Sequence, residues 1–165
     1  MNNLETTAAG NFVEDVAEKY LTFDVSGQVY GISISNVIEI SKIQAITPIP
    51  EFPVYAKGII NLRGKVIPLI DLNLRFGHHE KEYTDRTCIV IVDIEGLQVG
   101  FIVEAVDEVM DISKAQIAPP PKFSAERSNR YVVGVGKLTD RMVLILDGKL
   151  VLSDDEVDML GSAAQ

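Results

Sequence analysis

One cysteine, two histidines and no tryptophan in 165 residues leave little from which a catalytic or metal centre could be built. A lone Cys88 makes neither an internal disulfide nor a zinc cage. It opens an apolar run, where free cysteine behaves as a small hydrophobe rather than a nucleophile. His78 and His79 are adjacent in a polar stretch after Gly77, and neighbours in sequence point apart, so a metal would need further ligands from elsewhere. They are read as exposed loop residues. The phosphate-cradling GxxxxGK[ST] loop, the GxGxxG turn, the GxSxG elbow and the HExxH helix are all missing. Basic residues are in deficit, 15 against 24 acidic, and the resulting charge of −9 repels nucleic acid and anionic lipid. Long hydrophobic runs are also missing: the stretches Cys88 to Val92 and Met142 to Leu146 fall far short of the roughly 20 residues that cross a bilayer. No positive charge precedes Lys19 and no apolar segment follows it in the manner of a secretory signal, so a cytoplasmic location is expected. The chain is expected to be no enzyme, to carry no cofactor or metal and to insert in no membrane.

What is there is a folded domain's composition. Hydrophobic residues make up 47% and charged residues 24%, and at this length folding buries roughly 70% of the extended surface, enough for a core without staples. Residues 1–18 are polar and small and are read as a mobile tail. From Lys19 the pattern alternates: Leu21, Phe23 and Val25 face one way, Thr22 and Asp24 the other, and Ser26-Gly27 turns the chain into a second strand over residues 28–32. Residues 33–37 suit a single helical turn before a strand near 38–43. Pro48, Pro50 and Pro53 forbid regular structure. Residues 58–62 and 65–70 then form a hairpin around Arg63-Gly64, and Pro68 inside it predicts an edge strand or a bulge. Near the end, Ser153 with Glu156 forms a capping box and Leu152 with Val157 a hydrophobic staple. A short helix follows, with Gly161 able to close it.

The chain also repeats itself. At an offset of 69 residues Asp24, Gly27, Gly31, Val37, Glu39 and Ile43 recur as Asp93, Gly96, Gly100, Val106, Glu108 and Ile112. At an offset of 76, Tyr55, Gly58, Leu62 and Asp71 recur as Tyr131, Gly134, Leu138 and Asp147. Two ordered blocks that share glycines at hairpin positions mark a duplication. Each half holds about five short strands, the inventory of a small closed or half-closed barrel. The expected fold is therefore all-β, with a first barrel over about 19–85, a second over about 86–152, strands open to exchange between them, and a C-terminal helix and tail over 153–165.

With chemistry excluded, surface remains. Two barrels leave a groove, and Ile34, Val37, Val103 and Val106 are placed to line it if the repeats are related by pseudo-symmetry. A groove of that kind suits an amphipathic helix. Glu39 and Arg63 are charges set among apolar neighbours. The turn equivalent to Asn61-Leu62-Arg63-Gly64 reads Lys137-Leu138-Thr139-Asp140, so Arg63 is read as serving more than the turn. Phe52 and Phe123 sit in proline-flanked loops, a rigid presentation that costs little side-chain entropy on binding.

The segments Tyr20-Leu21-Thr22-Phe23, Tyr30-Gly31-Ile32, Val37-Ile38-Glu39-Ile40, Lys57-Gly58-Ile59-Ile60-Asn61-Leu62-Arg63-Gly64 and Val66-Ile67-Pro68-Leu69-Ile70-Asp71-Leu72 resemble the CheW-like family of bacterial chemotaxis coupling proteins. The resemblance runs from about Lys19 to Leu160. It implies two SH3-like five-stranded barrels and a non-catalytic adaptor between the cytoplasmic tips of methyl-accepting chemoreceptors and the regulatory domain of the CheA histidine kinase, clustered at receptor arrays and a monomer in isolation. It places Val37, Glu39, Arg63, Ile34 and Val106 on the receptor side. It places Ile49, Phe52, Lys57 and Gly58 on the kinase side, and Phe123 at a ring contact. Where family members often carry a basic residue before the second proline run, this chain has Ala118. Other readings of the same residues are a coupling protein of a non-flagellar system such as one controlling pili, and a tandem SH3-like module for proline-rich peptides. The last needs an aromatic-lined groove, and six Phe and five Tyr without Trp furnish a poor one.

Overall fold

The computed structural model describes residues 17–120 and 130–164. The strands are β1 (Ala17–Val25), β2 (Gln28–Ser33), β3 (Val37–Lys42), β4 (Ala56–Leu62), β5 (Lys65–Asp71), β6 (Cys88–Ile94), β7 (Leu97–Val103), β8 (Ala105–Ser113), β9 (Ile117–Ala118), β10 (Val132–Lys137) and β11 (Met142–Leu146). Three helices join them: α1 (Leu72–Arg75), α2 (Gly148–Val151) and α3 (Asp154–Ala164). β1 begins two residues ahead of the expected start, because Ala17 and Glu18 extend the antiparallel ladder to Ser113 and Ile112 of β8. A 3-10 turn over Ile34–Asn36 precedes β3, as the Ser and Asn content of that stretch predicts.

The strands form two sheets, in the orders β8-β1-β2-β11-β10-β9 and β3-β6-β7-β5-β4. Neither sheet follows the halves of the sequence. The first half's leading hairpin, β1–β2, lies in a sheet with β10 and β11 of the second half, while β6–β7 of the second half lies with β3, β4 and β5 of the first. The joins are parallel: Leu69 to Asp71 run beside Gly100 to Ile102, and Leu144 to Leu146 beside Tyr30 to Ile32. At each join a glycine admits the neighbouring strand. A Cβ on Gly100 would lie 2.5 Å from Leu69 and 2.6 Å from Ile89, and one on Gly31 would lie 3.0 Å from Val143. Two residues the sequence singled out as repeated are thus the contact points of the exchange.

Of the two expectations for Pro68, an edge strand or a bulge, the first fails because β5 is interior, while the β4–β5 ladder carries its bulge on the facing strand, between Ala56 and Gly58. Opposite Pro68, the Ile59 amide and carbonyl are turned away to bond Thr47, both at 2.9 Å, so β4 asks Pro68 for no hydrogen. On its other side β7 pairs with β5 only from Leu69 onward. The missing donor therefore falls where no acceptor waits.

Burial follows the exchange. Ile60, Ile67, Leu69, Ile89, Ile91 and Ile102 fill the interior of the β3–β4 sheet, and Tyr20, Ile112, Val143 and Ile145 fill the other. Between the two lies a larger shared core that includes Phe23, Ile32, Ile70, Leu72, Val90, Phe101 and Leu146, together with Leu160 of α3. A run of rings threads it, Phe23 to Tyr30 to Phe76 to Tyr131, with centroids 5.1 to 6.2 Å apart. Because this core takes side chains from both sheets, it welds the barrels into one unit.

The duplication is kept in polar detail. Asp71 and Asp147 each cap the helix that follows, α1 and α2, by accepting from the amides of Leu74 and Lys149. Their own amides donate to the carbonyls of Tyr55 and Tyr131. The capping box of α3 forms as predicted: Ser153 N donates to Glu156 at 2.8 Å and Glu156 N to Ser153 Oγ at 3.2 Å. Gly161 does not close this helix, which runs on to Ala164.

Candidate partner-binding surfaces

β3 and β8 are the outer strands of their sheets, and most of the residues expected on a receptor side lie on or beside them. Val37 pairs with Val92 and Val106 with Phe23. Both are half-buried and pack against the shared core, so they flank the junction of the two sheets. Ile34, in the turn before β3, is 37% exposed. Val103 does not line a groove. It is buried inside the shared core, because β7 is an interior strand with both neighbours in place.

Glu39 and Arg63 form an ion pair, Nη1 to Oε1 at 2.8 Å, with the arginine side chain 77% exposed. The turn holds Arg63 at φ 54° ahead of Gly64 at 86°, a type I′ hairpin whose Gly64 amide donates to Asn61 at 2.9 Å. The second repeat is not without an arginine. Arg141, two residues beyond Thr139, reaches Asp107 at 2.6 Å and Glu108, the equivalent of Glu39, at 2.7 Å. Bonding to Asp107 holds the Arg141 guanidinium above its ordinary range, against an opposing effect of burial. Each barrel therefore has an acidic edge-strand residue paired with an arginine from a hairpin, and the idea that Arg63 has no structural counterpart is withdrawn.

Sequence reasoning missed the exposed apolar residues of the edge strands. On β3 the alternation puts Val37 and Glu39 on the half-buried face and leaves Ile38 and Ile40 44% and 43% exposed. Val109, the repeat equivalent of Ile40, is exposed as well. A period-two reading of β3 with Glu39 facing inward to its arginine would have found them.

The residues expected on a kinase side separate into three structural roles. Gly58 has a φ of 141°, at a bulge in the β4–β5 ladder, and a Cβ there would collide with the carbonyl oxygen of Thr47. Its absence of a side chain lets the chain from Ile43 to Tyr55 lie against β4. Lys57 forms an ion pair with Glu80, and that bond, with the lysine's charge, holds the Glu80 carboxyl below its usual value. Phe52 is not held out as an anchor. It is half-buried and packs against the shared core, while Ile49 is half-buried and its carbonyl accepts from the Phe52 amide at 3.4 Å. The residue that stands out of this loop is Val54, 81% exposed between Pro53 and Tyr55. Phe123 lies outside the described residues.

A shallow cavity of about 620 Å³ between β8 and the segment ahead of β6 is lined by Lys81 and Arg86 on one account of charge and Asp24, Glu82, Asp85 and Glu104 on the other. Of these, Glu104 accepts from Ser26 N and Lys81. Outside this lining, Tyr83, raised by burial and by its bond to Asp71, donates to that carboxylate at 2.8 Å. Among the described residues no three His, Cys, Asp or Glu side chains come together to hold a metal, and no helix is long and apolar enough to cross a membrane. His78 and His79 are exposed, and Cys88 is half-buried with its thiol directed to the Arg86 carbonyl.

Two exchanged barrels whose distinctive residues are surface ion pairs and apolar edge positions define a class of docking scaffold. The CheW-like domain model matches residues 19–156, and the chain belongs to that family. It is 32% identical over 152 residues to the chemotaxis protein CheW of Klebsiella aerogenes, covering 92% of each chain. To the CheW of Bacillus subtilis it is 34% identical over 138 residues, covering 84% of this chain and 88% of that one. Among solved structures it is similar to the scaffolding protein TtCheW of Thermoanaerobacter tengcongensis. That match has a TM-score of 0.78 and 38% identity, covering 85% of this chain and 95% of the other.

Proposed function

We propose that this protein is a non-catalytic adaptor of chemotaxis signalling that couples methyl-accepting chemoreceptors to the CheA histidine kinase, in the cytoplasm at receptor arrays. The observation that carries the reading is the division of exposed features over one welded scaffold. An edge strand with Glu39, its Arg63 partner and the apolar Ile34, Val37 and Val106 offers one face. The proline-bounded loop of Ile49, Phe52 and Val54, seated by Gly58 and Lys57, offers another. An adaptor needs two faces in fixed relation, and the shared core supplies that rigidity without any catalytic group. A receptor tip is a helical hairpin, which suits apolar residues rimmed by a charge pair. The kinase's regulatory domain takes the loop, and Phe123 is assigned to the further contact that closes rings. Binding measured separately to an isolated receptor cytoplasmic fragment and to the isolated regulatory domain tests the division. Arg63→Ala is expected to weaken only the first and Val54→Ser only the second. Equal loss of both partners in either variant contradicts two separate faces.

A further inference from the structure

Arg75 ends α1 in a position that the adaptor reading does not use. Its guanidinium lies over the ring of Tyr55 at 4.4 Å and over that of Tyr131 at 5.3 Å, and these tyrosines are equivalents in the two repeats. Its Nε donates to the carbonyl of Val151 at 2.7 Å, and Val151 is the repeat equivalent of Arg75 itself. Its Nη2 reaches Glu156 at 2.9 Å, with both side chains more than four-fifths buried. Arg75 thus sits where the pseudo-symmetry relates the halves, and its planar fork serves two rings and two acceptors at once, which a lysine cannot do.

Two of those partners lead elsewhere. Tyr55 follows Val54 directly, and its carbonyl takes the Asp71 amide at 2.8 Å, so Tyr55 is the fixed end of the loop that presents Val54. Glu156 is the capping-box residue of α3, bonded through the same Oε1 to the Ser153 amide and to Arg75. We propose that Arg75 is a positioning residue that ties the C-terminal helix to the loop of residues 49–55 and thereby sets the orientation in which Val54 meets the kinase's regulatory domain. The inference rests on the proposed adaptor function for the identity of the partner alone. The tie is intramolecular and can be read without any partner.

The test uses the full chain and four variants. Arg75→Met removes the fork, and Arg75→Lys keeps the charge but not the double stacking. Glu156→Gln keeps a residue able to complete the capping box while removing the charge that Arg75 meets, whereas Ser153→Ala weakens the cap and leaves the Arg75 to Glu156 pair. Affinity for the isolated regulatory domain of a CheA kinase and for a receptor cytoplasmic fragment is measured by calorimetry below the melting range, beside amide hydrogen exchange at Ala56 and at Asp71, whose amides bond Pro53 and Tyr55. Arg75→Met and Arg75→Lys are expected to weaken regulatory-domain binding at least about tenfold, with receptor affinity within about twofold and faster exchange at Ala56 and Asp71. Glu156→Gln is expected to move the same readouts in the same direction, and Ser153→Ala to leave them unchanged despite a lower thermal midpoint. A merely structural role would lower both affinities alike and would follow helix stability, making Ser153→Ala as harmful as Glu156→Gln. That pattern overturns the proposal, as does unchanged exchange at Ala56 and Asp71 in Arg75→Met. If the parent chain binds no regulatory domain, the adaptor reading fails. Faster exchange in Arg75→Met and Glu156→Gln but not in Ser153→Ala then still decides whether the tie exists.

Discussion

Replacing Gly58 by alanine should damage the fold before it damages any interface. The backbone at Gly58 has a φ of 141°, a region that residues with a Cβ avoid, and the added methyl would collide with the Thr47 carbonyl. Holding such a conformation costs about 1 to 3 kcal/mol. Escaping it moves β4 away from Thr47 and gives up the two Thr47 to Ile59 hydrogen bonds, each 2.9 Å long and each worth about 0.5 to 1.5 kcal/mol. The chain takes one route or the other, so the loss is about 2 kcal/mol, and at this size 1 kcal/mol moves the thermal midpoint by roughly 2 to 4 °C. A fall of about 4 to 8 °C by circular dichroism is therefore expected, with faster amide exchange at Thr47 and Ile59. Weaker regulatory-domain binding should accompany it as a consequence of the displaced loop. A midpoint within about 3 °C of the parent, with the Thr47 amide still protected and kinase binding lost, would show that Gly58 touches the partner directly and that the steric reasoning is wrong.

Other consequences can be checked with the same preparations. Arg63→Ala removes an ion pair whose arginine is 77% exposed, so its midpoint should stay within a few degrees, as expected of a pair worth about 0 to 1 kcal/mol, and far-ultraviolet circular dichroism should be unchanged. Thr22 is fully buried and spans the bulge between β1 and β8, donating to the Glu108 carbonyl at 2.7 Å and accepting its amide at 3.2 Å. Thr22→Val strands both groups and should cost about 2 to 4 kcal/mol in urea unfolding, and a loss under about 0.5 kcal/mol would contradict that bonding. For Glu104, burial raises the carboxyl while the Ser26 amide, Asn73 and Lys81 lower it, and the balance leaves it below its ordinary 4.5. A group depressed in the folded state stabilises above its unfolded value, and that contribution is lost as pH falls from about 4.5 through the lower folded value. Glu104→Gln should therefore flatten the acid limb of the stability profile in that window. An unchanged slope there would remove Glu104 from the acid response.

The duplication was legible because Gly27, Gly31, Asp71 and Tyr55 meet requirements that recur in the other half: hairpin turns, a close strand approach and a helix cap. Their equivalents do the same work in the same geometry. Which hairpin enters which sheet was not legible, since parallel joins such as Leu69 beside Gly100 connect residues distant in sequence and leave no local periodicity. Pro68 misled for a related reason. A proline reads as an edge or bulge signal, yet the strand is interior, the bulge lies on the facing strand, and only the side facing the proline nitrogen is unpaired. Of the candidate docking residues, Glu39 and Arg63 stood out in the sequence as charges set among apolar neighbours. Phe52 was misjudged because proline-flanked loops can fold an aromatic inward as well as hold it out, and burial, not composition, decides between them. Arg141 was overlooked because an arginine can reach the same carboxylate from either side of a hairpin tip, so a fixed offset of 76 did not find it.

The most direct test of the adaptor is reconstitution of receptor control. Purified protein is combined with a CheA kinase and receptor dimers in membrane discs, and kinase autophosphorylation is followed with and without attractant. Control by the receptor is expected only when the protein is present, with Arg63→Ala and Val54→Ser each reducing it through a different binary affinity. Full receptor control without the protein, or undiminished control by a double Arg63→Ala, Val54→Ser variant, would contradict the adaptor.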